Sequence, residues 1–128
     1  MRKMVVPPDF SAVPDQWHFA PGVDTGEFLF LSGITGAHAD LSVSDDPEVQ
    51  FRDAFRFLAN HLEAAGLTLS HIVEMTTYHV GLREHLKMFQ QVKDEFITTP
   101  YPAWTAIGVS ELITQGTLVE IRAIAKRS

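Results

Sequence analysis

The chain has 128 residues, 45% of them hydrophobic, and no cysteine. This length predicts a single domain over residues 1–128 with its own core. The lack of cysteine excludes disulfides, thiolate metal sites and a cysteine nucleophile. The formal net charge of −6 opposes binding to nucleic acid or a membrane surface, since both depend on positive side chains. No apolar run approaches the ~18 residues of a membrane span and no secretory signal is visible, so we expect a cytoplasmic protein.

The first part of the chain predicts two short strands separated by a turn. Residues 1–16 carry three prolines and are expected to be irregular or to form an edge segment. A short strand is predicted over 17–20, a turn over 21–26 and a strand of large apolar residues over 27–31. That strand leads into SGITG at 32–36, where two glycines allow unusual backbone angles or a close approach to another group.

A well-marked amphipathic helix comes next. Asp46 is a good N-cap, Pro47 fits the first helical position, and Gly66 stands where a glycine ends a helix. Between them, apolar residues recur at the helical spacing, namely Phe51, Phe55, Leu58 and Leu62. This pattern predicts a helix that packs one face on a sheet.

The second half of the chain predicts three strands and a second helix. HIVEMTTYHV at 71–80 is rich in β-branched and aromatic residues, which favours a strand. Apolar residues at helical spacing predict a helix over about 83–97. Two short strands then follow over 103–109 and 117–125, around a loop with a turn signal at its end.

The last predicted strand has two unlike faces. Its odd positions form an aliphatic face, and its even positions are Leu118, Glu120, Arg122 and Ile124. A carboxylate and a guanidinium between two aliphatic side chains fit neither a core nor an ordinary wet surface. This mixed face indicates a subunit interface or the wall of a pocket.

The element order β-β-α-β-α-β-β predicts a two-layer α+β domain. Right-handed strand–helix–strand crossovers place both helices on one face of a single sheet. The other face is then bare, and a monomer would expose Leu118 and Ile124 there. We expect oligomerisation through this bare face.

Over residues 19–126 the sequence resembles the RidA (YjgF) family of reactive imine and enamine deaminases, once also labelled translation inhibitors or endoribonucleases. The resemblance is carried by GVD at 22–24, LSG at 31–33, LEAAG at 62–66, YPA at 101–103 and VEIRAIA at 119–125. The family implies a chorismate-mutase-like fold with one mixed sheet. It also implies a homotrimer with a small-molecule cleft at each subunit interface. No cofactor is predicted.

The resemblance also implies site residues. In active members an arginine after Pro-Ala clamps the carboxylate of a 2-imino acid, which water hydrolyses to a 2-oxo acid and ammonium. A pocket glycine falls on Gly33, and a glutamate that positions water falls on Glu120. A family aromatic falls on Phe19, which lacks the usual phenol, and a family asparagine falls on or near Gln90. The arginine falls on Trp104.

The tryptophan at this position opposes the standard reaction. An arginine fork supplies paired charge-assisted hydrogen bonds that an indole cannot replace, and losing both costs about 3–5 kcal/mol. Trp104 is interpreted as an aromatic wall for a flat or apolar ligand, with interface packing as the alternative. Trp104→Arg is expected to raise turnover of 2-imino acids if the rest of the pocket is intact.

Further residues have two interpretations each. Glu120 is a candidate general acid or base, and its alternative is a structural ion pair with Arg122, two positions along the same face. Arg122 is also a candidate anion contact, and Thr105 would help Gly33 to shape the pocket floor. The six histidines show no compact ligand spacing, so no metal site is predicted.

Three functions remain open from the sequence. The first is hydrolytic deamination of an imine or enamine that is not held by arginine, with Glu120 orienting water. The second is a non-catalytic small-molecule-binding or interaction module on the same trimer. The third is RNA cleavage, which rests only on the older family label and is opposed by the negative charge.

Overall fold

The structure, a computed structural model, describes residues 1–128. Six strands form one sheet: β1 (Lys3–Val5), β2 (Gly22–Asp24), β3 (Phe28–Leu31), β4 (Ile72–His79), β5 (Ala103–Gly108) and β6 (Val119–Lys126). The α-helices are α1 (Val13–Trp17), α2 (Pro47–Ala64) and α3 (Leu82–Phe96), and short 3₁₀ turns occupy Pro8–Phe10 and Leu69–His71. None of the helices combines the length and apolar character needed to cross a bilayer.

The strand order is β1-β2-β3-β6-β4-β5. β4 and β5 run parallel, and every other neighbouring pair is antiparallel. Side chains of α2 and α3 join the apolar side of the sheet in one buried cluster. The predicted α+β class, with one mixed sheet and both long helices on one face, is confirmed.

Helix α2 forms for the local reasons that its sequence indicates. The Asp46 carboxylate accepts a hydrogen bond of 2.9 Å from the Glu48 amide, which caps the first turn. Gly66 ends the helix in the left-handed region at φ +75°. The predicted apolar stripe is fully buried against the sheet, with Phe51, Phe55, Leu58 and Leu62 all at 0% exposure.

The two faces of β6 differ as predicted. The odd positions are at most 1% exposed beneath the helices and comprise Val119, Ile121, Ala123 and Ala125. On the other side, Glu120 and Ile124 are half-buried and Arg122 is exposed. This side, which we call the open face, lies opposite the long helices α2 and α3.

Two local predictions were wrong. Residues 17–20 are not a strand, because Trp17 ends α1 and His18 takes a left-handed φ of 58°. The predicted turn over 21–26 contains strand β2, which is only three residues long and is held by pairing to β1 and β3. Strands β5 and β6 are consecutive in the chain but are not neighbours in the sheet, because β4 lies between them and pairs with both.

Candidate functional site

A cavity of about 230 Å³ lies between the amino-terminal segment and the loop after β3. Three of the predicted site residues line it, namely Phe19, Gly33 and Glu120. The cavity is smaller than the ~300–1,000 Å³ typical of sites for drug-sized ligands. It therefore suits a small metabolite.

Gly33 lies directly against the carboxyl group of Glu120. A Cβ atom built on Gly33 would lie 2.5 Å from Cδ and 2.6 Å from Oε2 of Glu120. Real Cβ atoms do not approach so closely, so only glycine leaves the carboxyl group in this place. The close approach that the SGITG segment predicts is therefore found, and its partner is the candidate catalytic carboxylate.

The carboxyl group of Glu120 is half-buried, and burial raises its pKa. The alternative of a structural ion pair is not found, because the ion pairs of the chain involve neither Glu120 nor Arg122. A carboxylate that is partly desolvated and unpaired has a higher proton affinity than one in water. Such a group is a candidate for accepting and returning a proton during a reaction.

The loop after β3 is held in place at both ends. The Ser32 hydroxyl donates a hydrogen bond of 2.7 Å to the Ala20 carbonyl. Ile34 and Ile121 exchange two backbone hydrogen bonds of 2.8 and 2.7 Å. These bonds fix Gly33 between two anchored residues, and therefore fix its position against Glu120.

The other end of the cavity lies in the helix layer. His61 of α2 lines it and is 6% exposed, with Phe10 packed on the ring at a centroid distance of 5.3 Å. His61 Nδ1 lies 2.7 Å from the Phe57 carbonyl oxygen. His38 also lines the cavity, and its Nε2 is 3.8 Å from the Asp53 carboxylate. In the sequence, His61 is recognisable only as a polar residue next to the apolar stripe of α2. Its contact with Phe10 could not be predicted, because the two residues are far apart in the chain.

Trp104 lies on the helix side of the sheet, away from Glu120. Its indole N–H donates a hydrogen bond of 2.9 Å to the Thr77 hydroxyl, and Lys93 Nζ stands 4.6 Å from the ring centroid. The Thr77 hydroxyl also lies 2.7 Å from Nε2 of His79, whose pKa is lowered to about 4 by burial. Within one chain Trp104 is therefore no wall of the Glu120 cavity.

The remaining predicted residues also lie outside the cavity. Thr105 and Arg122 are on the open face, on either side of Thr76 in the strand register. Gln90 is exposed on α3. Of the seven predicted site residues, three lie together in the cavity of a single chain, namely Phe19, Gly33 and Glu120.

Tyr78 is a residue that the sequence interpretation missed. It stands directly opposite Glu120 in the antiparallel pairing of β4 and β6, and it is half-buried on the open face. Facing residues of such a pair have Cβ atoms about 4.5–5.5 Å apart. The signal for it was the period-2 alternation of β4, which places Thr76 and Tyr78 on one side, but the pairing partner is not visible in the sequence.

Comparison with known proteins identifies the family. The family described as Endoribonuclease L-PSP matches residues 11–127. The chain belongs to this family, whose members also carry the names YjgF, RidA and RutC.

No three His, Asp or Glu side chains lie close enough together to hold a metal ion.

Individual members of the L-PSP family are similar over most of the chain. The RutC family protein YjgH of Escherichia coli is 33% identical over 126 residues, which cover 98% of this chain and 95% of that protein. A YjgF/YER057c/UK114 family structure from Mycobacterium tuberculosis is 28% identical with a TM-score of 0.85, covering 99% of this chain and 100% of that one. The structure of E. coli TdcF with bound serine is 29% identical with a TM-score of 0.74, covering 86% and 88%.

Replacing Trp104 is expected to reduce stability. Trp104→Arg removes the indole donor from Thr77 and places a second positive charge beside Lys93, so we expect the free energy of unfolding to fall by about 1–3 kcal/mol. Trp104→Phe keeps a ring beside Lys93 and removes only the N–H donor. The free energy of unfolding should therefore fall less, by about 1 kcal/mol. Urea denaturation followed by circular dichroism measures both. Equal losses for the two variants would contradict the role of Lys93.

Proposed function

We propose that this protein hydrolyses small imines or enamines in a cleft completed between the subunits of a homotrimer, without metal or cofactor. The observation that carries this proposal is the Glu120 carboxyl group, half-buried and unpaired beside Gly33 in the cavity. Membership of a family that contains imine deaminases, as the sequence resemblance implies, supports the same reaction. Standard 2-imino acids are not the proposed substrates.

The proposed chemistry needs one group that accepts and returns a proton. The Glu120 carboxylate accepts a proton from water as the water oxygen bonds to the C=N carbon of the protonated imine, and the C=N π electrons move to nitrogen. The carboxyl group then returns this proton to the amine nitrogen. The C–N bond breaks, the carbonyl forms with loss of the hydroxyl proton, and ammonia leaves. An enamine enters the same sequence after proton transfer to its carbon.

The cavity lining, together with the positions of Arg122 and Trp104 outside it, supports a substrate that lacks a carboxylate. Arg122 forms no ion pair and is exposed on the open face, but it does not line the cavity. Trp104 replaces the family arginine and has its N–H donor engaged by Thr77. The cavity walls include the aromatic side chains of Phe10, Trp17 and Phe19. An uncharged substrate with an apolar body fits this lining better than a 2-imino acid does.

The open face supports assembly through the sheet. Phe30 is 40% exposed there, and it stands opposite the half-buried Ile124. Phe30→Asp and Ile124→Asp are each expected to shift the protein from trimer toward monomer, because a buried unpaired carboxylate opposes association. Light scattering coupled to size exclusion measures the mass. Val49→Asp is the control, since Val49 is 42% exposed on α2 and should leave the mass unchanged.

The direct test is ammonia release from freshly generated imines and enamines, measured above the spontaneous rate. Catalysis that depends on Glu120 supports the proposal. A non-catalytic binding module on the same trimer is the second candidate, favoured by the replacement of the arginine clamp by Trp104. Absence of ammonia release together with thermal stabilisation by an aromatic metabolite supports this candidate. Metal-independent, salt-sensitive RNA cleavage by the purified protein would instead support the activity in the family description, which the net charge of −6 opposes.

A further inference from the structure

The cavity connects two polar groups that lie in different layers of the fold. Glu120 projects from the open face of β6, whereas His61 belongs to α2 in the helix layer. Packed layers are spaced by roughly 10 Å. Glu120 and His61 therefore belong to separate parts of the lining, and a ligand that contacts both would do so through two different groups.

The hydrogen-bonding state of His61 follows from its contacts. Its Nδ1 lies 2.7 Å from the Phe57 carbonyl oxygen, which can only accept, so Nδ1 carries the proton. Burial lowers the pKa of His61, and the ring is therefore neutral at pH 7 with a lone pair on Nε2. This tautomer makes Nε2 an acceptor.

Nε2 of His61 is free to meet a ligand. Among the side chains that are not exposed, only His79 Nδ1 is a polar atom both fully enclosed and without a partner. His61 lines the cavity, is 6% exposed and makes its hydrogen bond through Nδ1 alone, so Nε2 has no partner in the chain and is not fully enclosed. A ligand donor at this atom would therefore replace a donor from water, which leaves a net gain of about one hydrogen bond, roughly 1 kcal/mol.

Apolar and polar side chains both line the cavity that His61 joins. Phe10 packs on the imidazole ring, and Ile34 and Ala37 line the same cavity. His38 and Asp9 are titratable groups of the same lining, and His38 Nε2 lies 3.8 Å from the Asp53 carboxylate. Nε2 of His61 is therefore an acceptor beside the aromatic ring of Phe10, in a lining that also holds polar side chains.

We infer that His61 is a specificity-determining residue whose Nε2 accepts a hydrogen bond from the far end of the ligand. The ligand is accordingly an uncharged molecule with an apolar body, a C=N group at the Glu120 end and a hydroxyl or amide N–H at the His61 end. The position of the C=N group rests on the proposed function. The hydrogen bond to His61 does not, since it concerns binding alone.

Binding is tested with three unreactive amides on the full-length protein. The probes are phenylacetamide and its 3-hydroxy and 4-hydroxy derivatives, with dissociation constants measured by calorimetry. The wild type should bind one hydroxylated probe about five- to tenfold more tightly than phenylacetamide, which is the contribution of one net hydrogen bond. Equal affinities for all three amides would overturn the inference, whatever the variants do.

His61→Phe keeps a ring against Phe10 and removes the acceptor. It should abolish the preference for the hydroxylated probe and leave the affinity for phenylacetamide within about twofold. His61→Gln, which retains an acceptor oxygen, should restore part of the preference. His85→Phe on α3 is the matched control, and it should preserve the wild-type pattern. A preference that survives in His61→Phe would contradict the assignment.

Kinetics separate this inference from the proposed function. A flavin-dependent monoamine oxidase releases the corresponding imines from phenethylamine and its 3-hydroxy and 4-hydroxy derivatives. His61→Phe should raise KM for the preferred hydroxylated imine about five- to tenfold with kcat unchanged. Ammonia release without any hydroxyl preference would overturn the inference and leave the proposed function standing. A binding preference that depends on His61, without any ammonia release, would support the inference and overturn the proposed function.

Discussion

Glu120→Gln is expected to lower catalysed ammonia release by about 10²–10⁴-fold, the usual contribution of a general acid–base group. Glutamine fills the same space beside Gly33 but cannot take a proton from water. The measurement is kcat/KM on in situ generated imines, with the spontaneous rate subtracted. Glu63→Gln is the control, since it also removes one negative charge but lies exposed on α2. Full activity of Glu120→Gln would remove the central residue from the mechanism.

Glu120→Gln is also expected to change the thermal stability of the protein. Burial raises the pKa of Glu120 above the unfolded value of about 4.5, so the folded protein holds the proton more tightly than the unfolded chain does. Below about pH 4.5 Glu120 is protonated in both states and has no effect on the free energy of unfolding. As the pH rises through the folded pKa, the buried carboxyl group ionises and the free energy of unfolding falls.

Glutamine never carries this cost. The melting temperature of Glu120→Gln should accordingly exceed that of the wild type at pH 7, and the two should converge near pH 4. Scanning calorimetry at both pH values makes the comparison. A variant less stable than the wild type at pH 7 would mean that the carboxylate has a favourable partner in the assembled protein.

Local signals explain which parts of the fold could be predicted. Asp46, the apolar stripe and Gly66 specify α2 within a single stretch of chain, so its bounds follow from the sequence. The alternation along β6 likewise identifies its buried side. Strand β2 could not be found this way, because three residues after Pro21 resemble a turn and become a strand only by pairing with β1 and β3.

The candidate site was harder to predict because it depends on register and topology. Strand β5 has no clear apolar side, so the sequence does not reveal that Trp104 faces the helices. Its pairing opposite the buried Met75 decides this. The neighbours of Glu120 are likewise set by the β4–β6 register, which brings Tyr78 opposite it. The residue types of the site were visible in the sequence, but their grouping required the fold.

Gly33→Ala is expected to reduce activity far more than stability. Its Cβ would meet Glu120 Cδ at 2.5 Å, and the carboxyl group is the end of a flexible side chain that can rotate away at little cost. A displacement of about 1 Å of a catalytic group can cost roughly 10²-fold in rate. We expect a loss of that size in kcat/KM, with a melting temperature close to that of the wild type.

Gly36→Ala in the same loop should behave in the opposite way. Its Cβ would lie 2.5 Å from the Gln50 carbonyl oxygen, a backbone atom of α2 that cannot turn aside. The loop or the helix must then shift, and overpacking of this kind costs about 1–3 kcal/mol. Urea denaturation should show this loss, whereas activity per folded molecule should fall much less than in Gly33→Ala.

The double variant Gly33→Ala/Glu120→Gln decides whether the glycine acts through the carboxylate. If Gly33 serves only to leave room for a correctly placed Glu120, its replacement should add little loss once that carboxylate is gone, because the two changes remove one function. If Gly33→Ala instead blocks the ligand by its own bulk, the two losses in kcat/KM should multiply. Strict multiplication would therefore make Gly33 an independent wall of the pocket, and non-additivity would tie the close approach of the two residues to the reaction itself.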